Sequence, residues 1–502
     1  MTFIANQALL RYLSPETLGV ATQLELYSIT LLFFARESIR IAVQRQPIGT
    51  EKDASVGHPR DGGRKSTRDS TSAQEAVNIS YIPILLGIPF AFAFGLSYIR
   101  LAEQDALRTP YFQTSLKAIG VASLLELLTE PCFAIIQRRM IYRIRAIVET
   151  TASITKGVVT CGTAVWGYHS GLDIGVLPFA AGQVAFALIL VVGYFAMVSP
   201  IPRKEGFSMR LVPISSRPGT KYVARLFSLP LLTLSANVYF QSIIKHILTQ
   251  GDSMILATLA SLEDQGVYAL ASNYGGLIAR MLFQPIEEHS RNMYSKLLGP
   301  DAAGKPKPEN VKLAKDQLRD ILRAYFILSV LACSLGPTIV PLLLRLLVGS
   351  RWSTPQVEGL LSTYCYYIPF LAFNGITEAF VSSAASNSEL RQQTMWMGAF
   401  SAGFAAAAFL FLGIWKWGAY GLVWANVVNM AVRTAWSYRF TRNYLRRNDS
   451  QLAIADILPK LETQVAGVVA AATMLAARPS LDLSIQTFAK VVGLAAFWAL
   501  LM

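Results

Sequence analysis

Cysteine and histidine are scarce, with four of each in 502 residues. Cys132, Cys161, Cys333 and Cys365 all fall in apolar runs, and none has a second Cys or a His at metal-ligand spacing. That excludes a disulfide framework and a zinc site. The Gly-x-x-x-x-Gly-Lys-Ser/Thr loop that cradles nucleotide phosphates is missing, so the chain does not carry its own ATP motor. A cleavable signal with a basic start and a small-residue cleavage site is also missing. Charge is thin: 15% of residues are Asp, Glu, Lys or Arg, against about 25% in a soluble domain. A soluble globule is excluded.

What is present is hydrophobic length. Apolar residues make up 53% of the chain and the mean hydropathy is +0.40. They cluster at 17–43, 79–101, 115–137, 147–168, 174–198, 226–259, 267–293, 322–348, 361–385, 394–415, 420–438, 465–477 and 488–501. These about thirteen runs are the lengths expected of membrane-spanning helices, the last two being short. Met1 to Leu13 is apolar but too short to cross a bilayer at about 1.5 Å per residue, and reads as the tail of a truncated first helix.

Lys and Arg sort by loop. One set of connections holds Arg40 to Arg68, Arg138 to Arg145, Arg203 to Lys221, Lys296 to Arg319, Arg391 and Arg439 to Arg447. The alternating set holds only Arg11, Arg100, Arg108, Arg351, Lys416 and Arg478. This asymmetry places the first set in the cytoplasm. The net charge of +14 is therefore topological, and it calls for no nucleic-acid partner. Gln46 to Ala76, polar and without apolar periodicity, reads as a disordered cytoplasmic loop, and Gly299 to Lys315 is a second polar insert. The sequons at Asn78 and Asn448 fall on the same side, where no glycan is added.

Local patterns recur at nearly one offset. Gly266-Val267 follows Gly19-Val20 by 247 residues, Thr377-Glu378 follows Thr129-Glu130 by 248, and Gly421 follows Gly175 by 246. Three coincidences in one order predict a duplicated unit. The expected fold is an all-α polytopic membrane protein of two parallel six-helix repeats plus a C-terminal helix pair, about fourteen helices once a first is restored. The boundaries are an N-terminal lobe over 1–198, a basic linker over 199–221, a C-terminal lobe over 222–445 and the last two helices over 461–502.

Charge inside the spans carries the chemistry. An Arg, Lys or Asp at the centre of a membrane helix costs roughly 2.5–3.5 kcal/mol on insertion scales, so such residues face a partner or a wet cavity. Arg36 and Arg40 share one helix face, with Glu37 three residues before Arg40 as an internal counterion. Glu126 and Glu130 share another face, and Glu149 and Lys156 stand two turns apart. Lys245 and His246 interrupt the run after the linker. Arg280, Gln284, Glu287 and Glu288 form a polar stripe.

Leu9-Leu10-Arg11-Tyr12-Leu13-Ser14, Phe34-Ala35-Arg36-Glu37, Glu126-Leu127-Leu128-Thr129-Glu130-Pro131, Asp264-Gln265-Gly266-Val267-Tyr268 and Phe283-Gln284-Pro285-Ile286-Glu287-Glu288 resemble the Rft family along the whole chain. The resemblance implies an endoplasmic-reticulum protein that moves a dolichol-diphosphate-linked oligosaccharide from the cytoplasmic to the lumenal leaflet. It also implies membership of the multidrug, oligosaccharidyl-lipid and polysaccharide exporter superfamily. On that reading Arg36, Arg40, Lys156 and Arg280 meet the diphosphate, because guanidinium and ammonium groups give charge-assisted bonds to phosphate. Glu126, Glu130 and Glu378 balance that charge or bind sugar hydroxyls. Glu37, Glu149, Lys245, Gln284, Glu287 and Glu288 form a structural or gating polar cluster. The partners are the lipid-linked oligosaccharide and membrane lipids, with no cofactor or metal. Two alternatives stay open: a non-transporting scaffold that assists the glycan pathway, and a dolichol-dependent glycosyltransferase using Glu103 and Asp105 in a loop poor in Lys and Arg.

Overall fold

The computed structural model describes residues 9–45, 62–214, 221–299, 306–348, 352, 354–477 and 485–501. They are almost entirely helical, and every apolar run read from the sequence is helix over most of its length. Among the described residues five helices are long and apolar enough to cross a bilayer: Pro15–Gln44, Ser70–Leu101, Leu177–Pro202, Pro308–Arg345 and Ser388–Ile414. Phe112–Leu127 and Glu130–Arg139 add a sixth if taken as one span bent by 41°. The chain divides into two compact units, one of residues 1–13 and 20–250, the other of 14–19 and 251–502.

The first unit contains most of α1 (Pro15–Arg45), then α2 (Gly62–Ile79), α3 (Ile82–Leu101), α4 (Gln104–Arg108), α5 (Phe112–Leu127), α6 (Glu130–Arg139), α7 (Tyr142–His169), α8 (Leu177–Val198) and α9 (Pro200–Glu205). Strands β1 (Tyr222–Val223) and β2 (Phe227–Ser228) pair antiparallel, and α10 (Leu229–Leu259) follows. The hairpin is a small departure from the all-α expectation. On α3 the large residues Leu85, Ile88, Phe92 and Leu101 are all exposed. A hydrocarbon solvent makes such a surface stable.

The expected disordered loop over Gln46 to Ala76 is corrected in its second half, which belongs to α2; residues 46–61 lie outside the described residues. α2 is poor in apolar residues because much of its partner surface is main chain. The Gln74 amide donates to Arg210 O at 3.0 Å, and its carbonyl accepts from Ser208 N at 2.8 Å. Asn78 donates to Val212 O and Leu226 O, both at 2.8 Å, and Tyr81 to Met209 O at 2.8 Å. The polar face of α2 thus holds the basic linker by its backbone. Behind it, Ala76 and Ile79 pack with Ile39, Ala42, Val43, Ala134 and Leu231. This docking explains a second difference from expectation: residues 222–250 group with the first unit, and the division falls inside α10 instead of in the linker.

The second unit runs through α11 (Leu262–Ile278), a π-helical turn (Ala279–Phe283), α12 (Gln284–Leu297), α13 (Pro308–Val348), α14 (Pro355–Tyr364), α15 (Ile368–Ala384), α16 (Asn387–Ala408) and α17 (Ala419–Arg447). The last pair is α18 (Leu461–Ala476) and α19 (Ile485–Leu501). The π turn stands just before Pro285, whose missing N–H already breaks the helical ladder. Phe283, Tyr294, Leu318, Ile376 and Phe380 form a core between α12, α13 and α15. The final pair packs on α13 through Leu335, Leu342, Ala470, Met474, Val491 and Ala495. Asp264 ties three elements: it accepts from Ala419 N at 3.0 Å, from Gln356 Nε2 at 3.2 Å and from Ser261 Oγ at 2.8 Å. Its carboxylate therefore sits at the N-termini of α11 and α17, where the helix dipole favours negative charge.

Candidate functional site

In the first unit the sequence places two arginines one helical turn apart on α1, and the fold brings two carboxylates to them. α5 ends at Leu127, and Thr129 Oγ1 folds back on Glu126 O at 2.7 Å. Pro131 then starts α6 with Glu130 in its first turn, a position favourable for an anion. Arg36 Nη1 donates to Glu126 Oε1 at 2.7 Å and, at 3.5 Å, to Glu130 Oε1. Arg40 grips Glu130 with two bonds, Nε to Oε2 at 3.0 Å and Nη2 to Oε1 at 2.6 Å. This paired geometry is the strongest a guanidinium makes with a carboxylate. Glu130 is only 2% exposed, and the two arginines and two glutamates carry a net charge of zero.

Phe133, one turn along α6, stacks beneath this set. The Arg40 guanidinium lies 3.8 Å from its ring centroid and that of Arg145 5.2 Å. Arg145 Nε also donates to Glu149 Oε1 at 2.9 Å, and buried Tyr194 donates to the same oxygen at 3.1 Å. One expected pairing is corrected by these contacts. Arg40 is met by Glu130 on α6 rather than by Glu37. Glu149 serves Arg145 and Tyr194. Among the described residues no carboxylate lies within ion-pair distance of Lys156, whose ammonium is 5.9 Å from the centroid of Phe186. His246 is buried, stacks on Phe33 at 4.4 Å and lies 3.2 Å from Thr30 Oγ1. The side chain of neighbouring Lys245 lies outside the described residues.

In the second unit Glu378 accepts from Arg433 Nη2 at 2.9 Å and from Asn374 Nδ2 at 3.2 Å. Glu287 packs against Gly375, where any side chain would collide with its carboxylate. Gln284 donates to Glu288 at 3.0 Å. The side chain of Arg280 lies outside the described residues. Of the expected diphosphate contacts, then, Arg36 and Arg40 come together on shared carboxylates, and Lys156 lies on α7. No group of three or more His, Cys, Asp or Glu suited to a metal occurs among the described residues. A cavity of about 240 Å³ between α13 and α14 is lined by the Arg345–Glu358 ion pair and contains none of the expected residues.

Several members of these clusters were missed in the sequence: Arg433, Asn374, Phe133, Arg145 and Tyr194. The rule that singled out Arg36, a cation inside an apolar run, applies equally to Arg433 within 420–438. Phe133 and Tyr194 gave no such signal, because an aromatic on a membrane helix is ordinary.

Comparison with known proteins places the fold. The model of the Rft protein family matches residues 1–502. The Man(5)GlcNAc(2)-PP-dolichol translocation protein of Candida glabrata is 34% identical over 469 residues, covering 90% of this chain and 82% of that protein. The protein of the same name from Saccharomyces cerevisiae is 33% identical over 470 residues, covering 89% and 80%. That of Mus musculus is 28% identical over 458 residues, again covering 89% and 80%. Among solved structures, the lipid II flippase MurJ in its inward closed conformation superposes with a TM-score of 0.60 at 12% identity, over 99% of this chain and 95% of that one. An inward-facing multidrug resistance MATE family transporter gives 0.60 at 13% identity, over 89% and 96%. The last two establish likeness of fold alone. With the family matched from end to end and a relative 34% identical over nine tenths of this chain, this chain belongs to the Rft protein family.

Proposed function

We propose that this protein translocates a dolichol-diphosphate-linked oligosaccharide, moving its head group from the cytoplasmic to the lumenal leaflet of the endoplasmic reticulum for N-linked glycosylation. It is a carrier and not an enzyme. The observation that supports this reading is the 34% identity to a Man(5)GlcNAc(2)-PP-dolichol translocation protein along 90% of the chain. The physics is compatible. A charged, hydroxylated head group cannot enter hydrocarbon unshielded, whereas polar side chains inside helical spans can shelter it while the polyprenyl tail stays in lipid.

In this reading the diphosphate is met by Lys156, which keeps no carboxylate partner among the described residues, and by Arg36 and Arg40. Each guanidinium has five N–H donors, and the ion pairs of Arg36 and Arg40 use only some of them. Glu126 and Glu130 hold those arginines in place, and Glu378 faces the sugars. The two halves are taken as parallel copies of one six-helix unit, with the basic loops in the cytoplasm. Expression of this chain in Saccharomyces cerevisiae depleted of its own relative tests the assignment. Restored full-length N-glycans on a secreted reporter are expected, and unchanged underglycosylation at normal abundance would overturn it.

A further inference from the structure

We infer that the seam between α15 and α17 is a subsite for the hydroxyl groups of the glycan. This rests on the translocation reading and deepens it. The seam is built from two helix faces. Asn374 and Glu378 stand one turn apart on α15, and Asn429 and Arg433 one turn apart on α17. The Arg433–Glu378 ion pair joins them at 2.9 Å.

Two features separate this pair from the arginine set of the first unit. Both of its side chains are 26% exposed, whereas Glu130 is sealed at 2%. In addition, polar atoms on its two helices are incompletely used. Asn374 is 8% exposed and spends its amide nitrogen on Glu378. Its Oδ1 has no protein partner among the described residues, nor does Oδ1 of Asn429 or Oγ1 of Thr434. A buried acceptor left without a donor is costly, so such atoms mark where a donor belongs.

Chemistry narrows the ligand. Two carboxamide oxygens and a carboxylate present acceptors, while the guanidinium keeps donors in reserve. A diphosphate, which is acceptor-only when ionised, would face Asn374 Oδ1, Asn429 Oδ1 and Glu378 with like polarity. A cation would meet the Arg433 guanidinium. A sugar hydroxyl donates and accepts at once, and neighbouring hydroxyls on one ring match alternating acceptors and donors. The seam therefore reads the glycan and leaves the diphosphate to Lys156 and the arginines.

Equilibrium binding to the purified full-length protein tests this, with free Man(5)GlcNAc(2) glycan and inorganic pyrophosphate as separate probes. Asn429→Leu should weaken glycan binding by about tenfold, and Thr434→Val by about threefold, as the loss of one neutral hydrogen bond predicts. Pyrophosphate binding and Tm should stay unchanged. Wild-type protein that binds no glycan overturns the subsite, as do variants that bind it normally or lose both ligands together. If Asn429→Leu lowers Tm, Thr434→Val, which keeps the side-chain shape, decides. Glycan binding by a protein that translocates nothing in vesicles would sink the translocation reading and leave the subsite standing.

Discussion

Gly19 and Gly266 meet backbone to backbone. A Cβ on Gly19 would strike the carbonyl oxygen of Leu262, and a Cβ on Gly266 would strike that of Pro15. Each obstructing carbonyl lies four residues before the opposite glycine. Small residues are what let membrane helices approach this closely. Gly19→Ala and Gly266→Ala should each destabilise the protein by about 1–3 kcal/mol through overpacking. Thermal unfolding of the purified variants checks this, and Tm values equal to wild type would show that the crossing is loose.

The arginine set predicts an asymmetry between its two carboxylates. Glu130→Ala leaves the Arg40 guanidinium with no carboxylate in this set and should cost about 3–5 kcal/mol, the usual penalty for breaking a buried pair. Glu126→Ala should cost less, because Arg36 keeps its longer contact to Glu130 at 3.5 Å. Protein abundance in membranes and Tm measure both. Equal losses would mean that Glu130 does not organise the set.

Lys156 predicts the opposite balance. With no carboxylate to satisfy among the described residues, Lys156→Ala should impair the glycan pathway while abundance stays near normal, and Lys156→Arg should retain most function because it keeps the charge. A fall in abundance that matches the fall in function would make Lys156 a structural residue.

Both sequons should remain unmodified, for partly different reasons. Asn78 is fully buried and its amide is spent on Val212 O and Leu226 O, so the folded protein bars a glycan there in any orientation. Asn448, partly buried and donating to Tyr444 O at 2.9 Å, reports on topology through the basic residues beside it. A glycosidase-sensitive mass shift abolished by Asn448→Gln would reverse the proposed orientation.

Helical runs were legible in the sequence because lipid demands long apolar stretches, and Arg36, Arg40, Glu126 and Glu130 were legible because charge within such stretches is rare. What periodicity could not reveal was pairing across distance. Arg40 finds Glu130 ninety residues away in preference to Glu37, its neighbour on the helix. α2 was misread as disorder because Gln74 and Asn78 bind main chain more than 130 residues downstream, and no local pattern in 62–79 records that. Asp264 stood out as part of a motif, but its three-way hold on Ala419, Gln356 and Ser261 exists only once the helices are assembled.

Translocation as proposed requires this chain alone to move the head group across a bilayer. Purified full-length protein should be reconstituted into sealed vesicles containing dolichol-diphosphate-linked oligosaccharide, with a membrane-impermeant glycan-modifying enzyme added outside. Protein-free vesicles expose only the outer half of the lipid to that enzyme. The account predicts that the protein makes nearly all of it accessible, and that Lys156→Ala slows this. Accessibility that stays at the protein-free level, with well-folded protein present in every vesicle, would contradict the account and leave a helper of some other translocator.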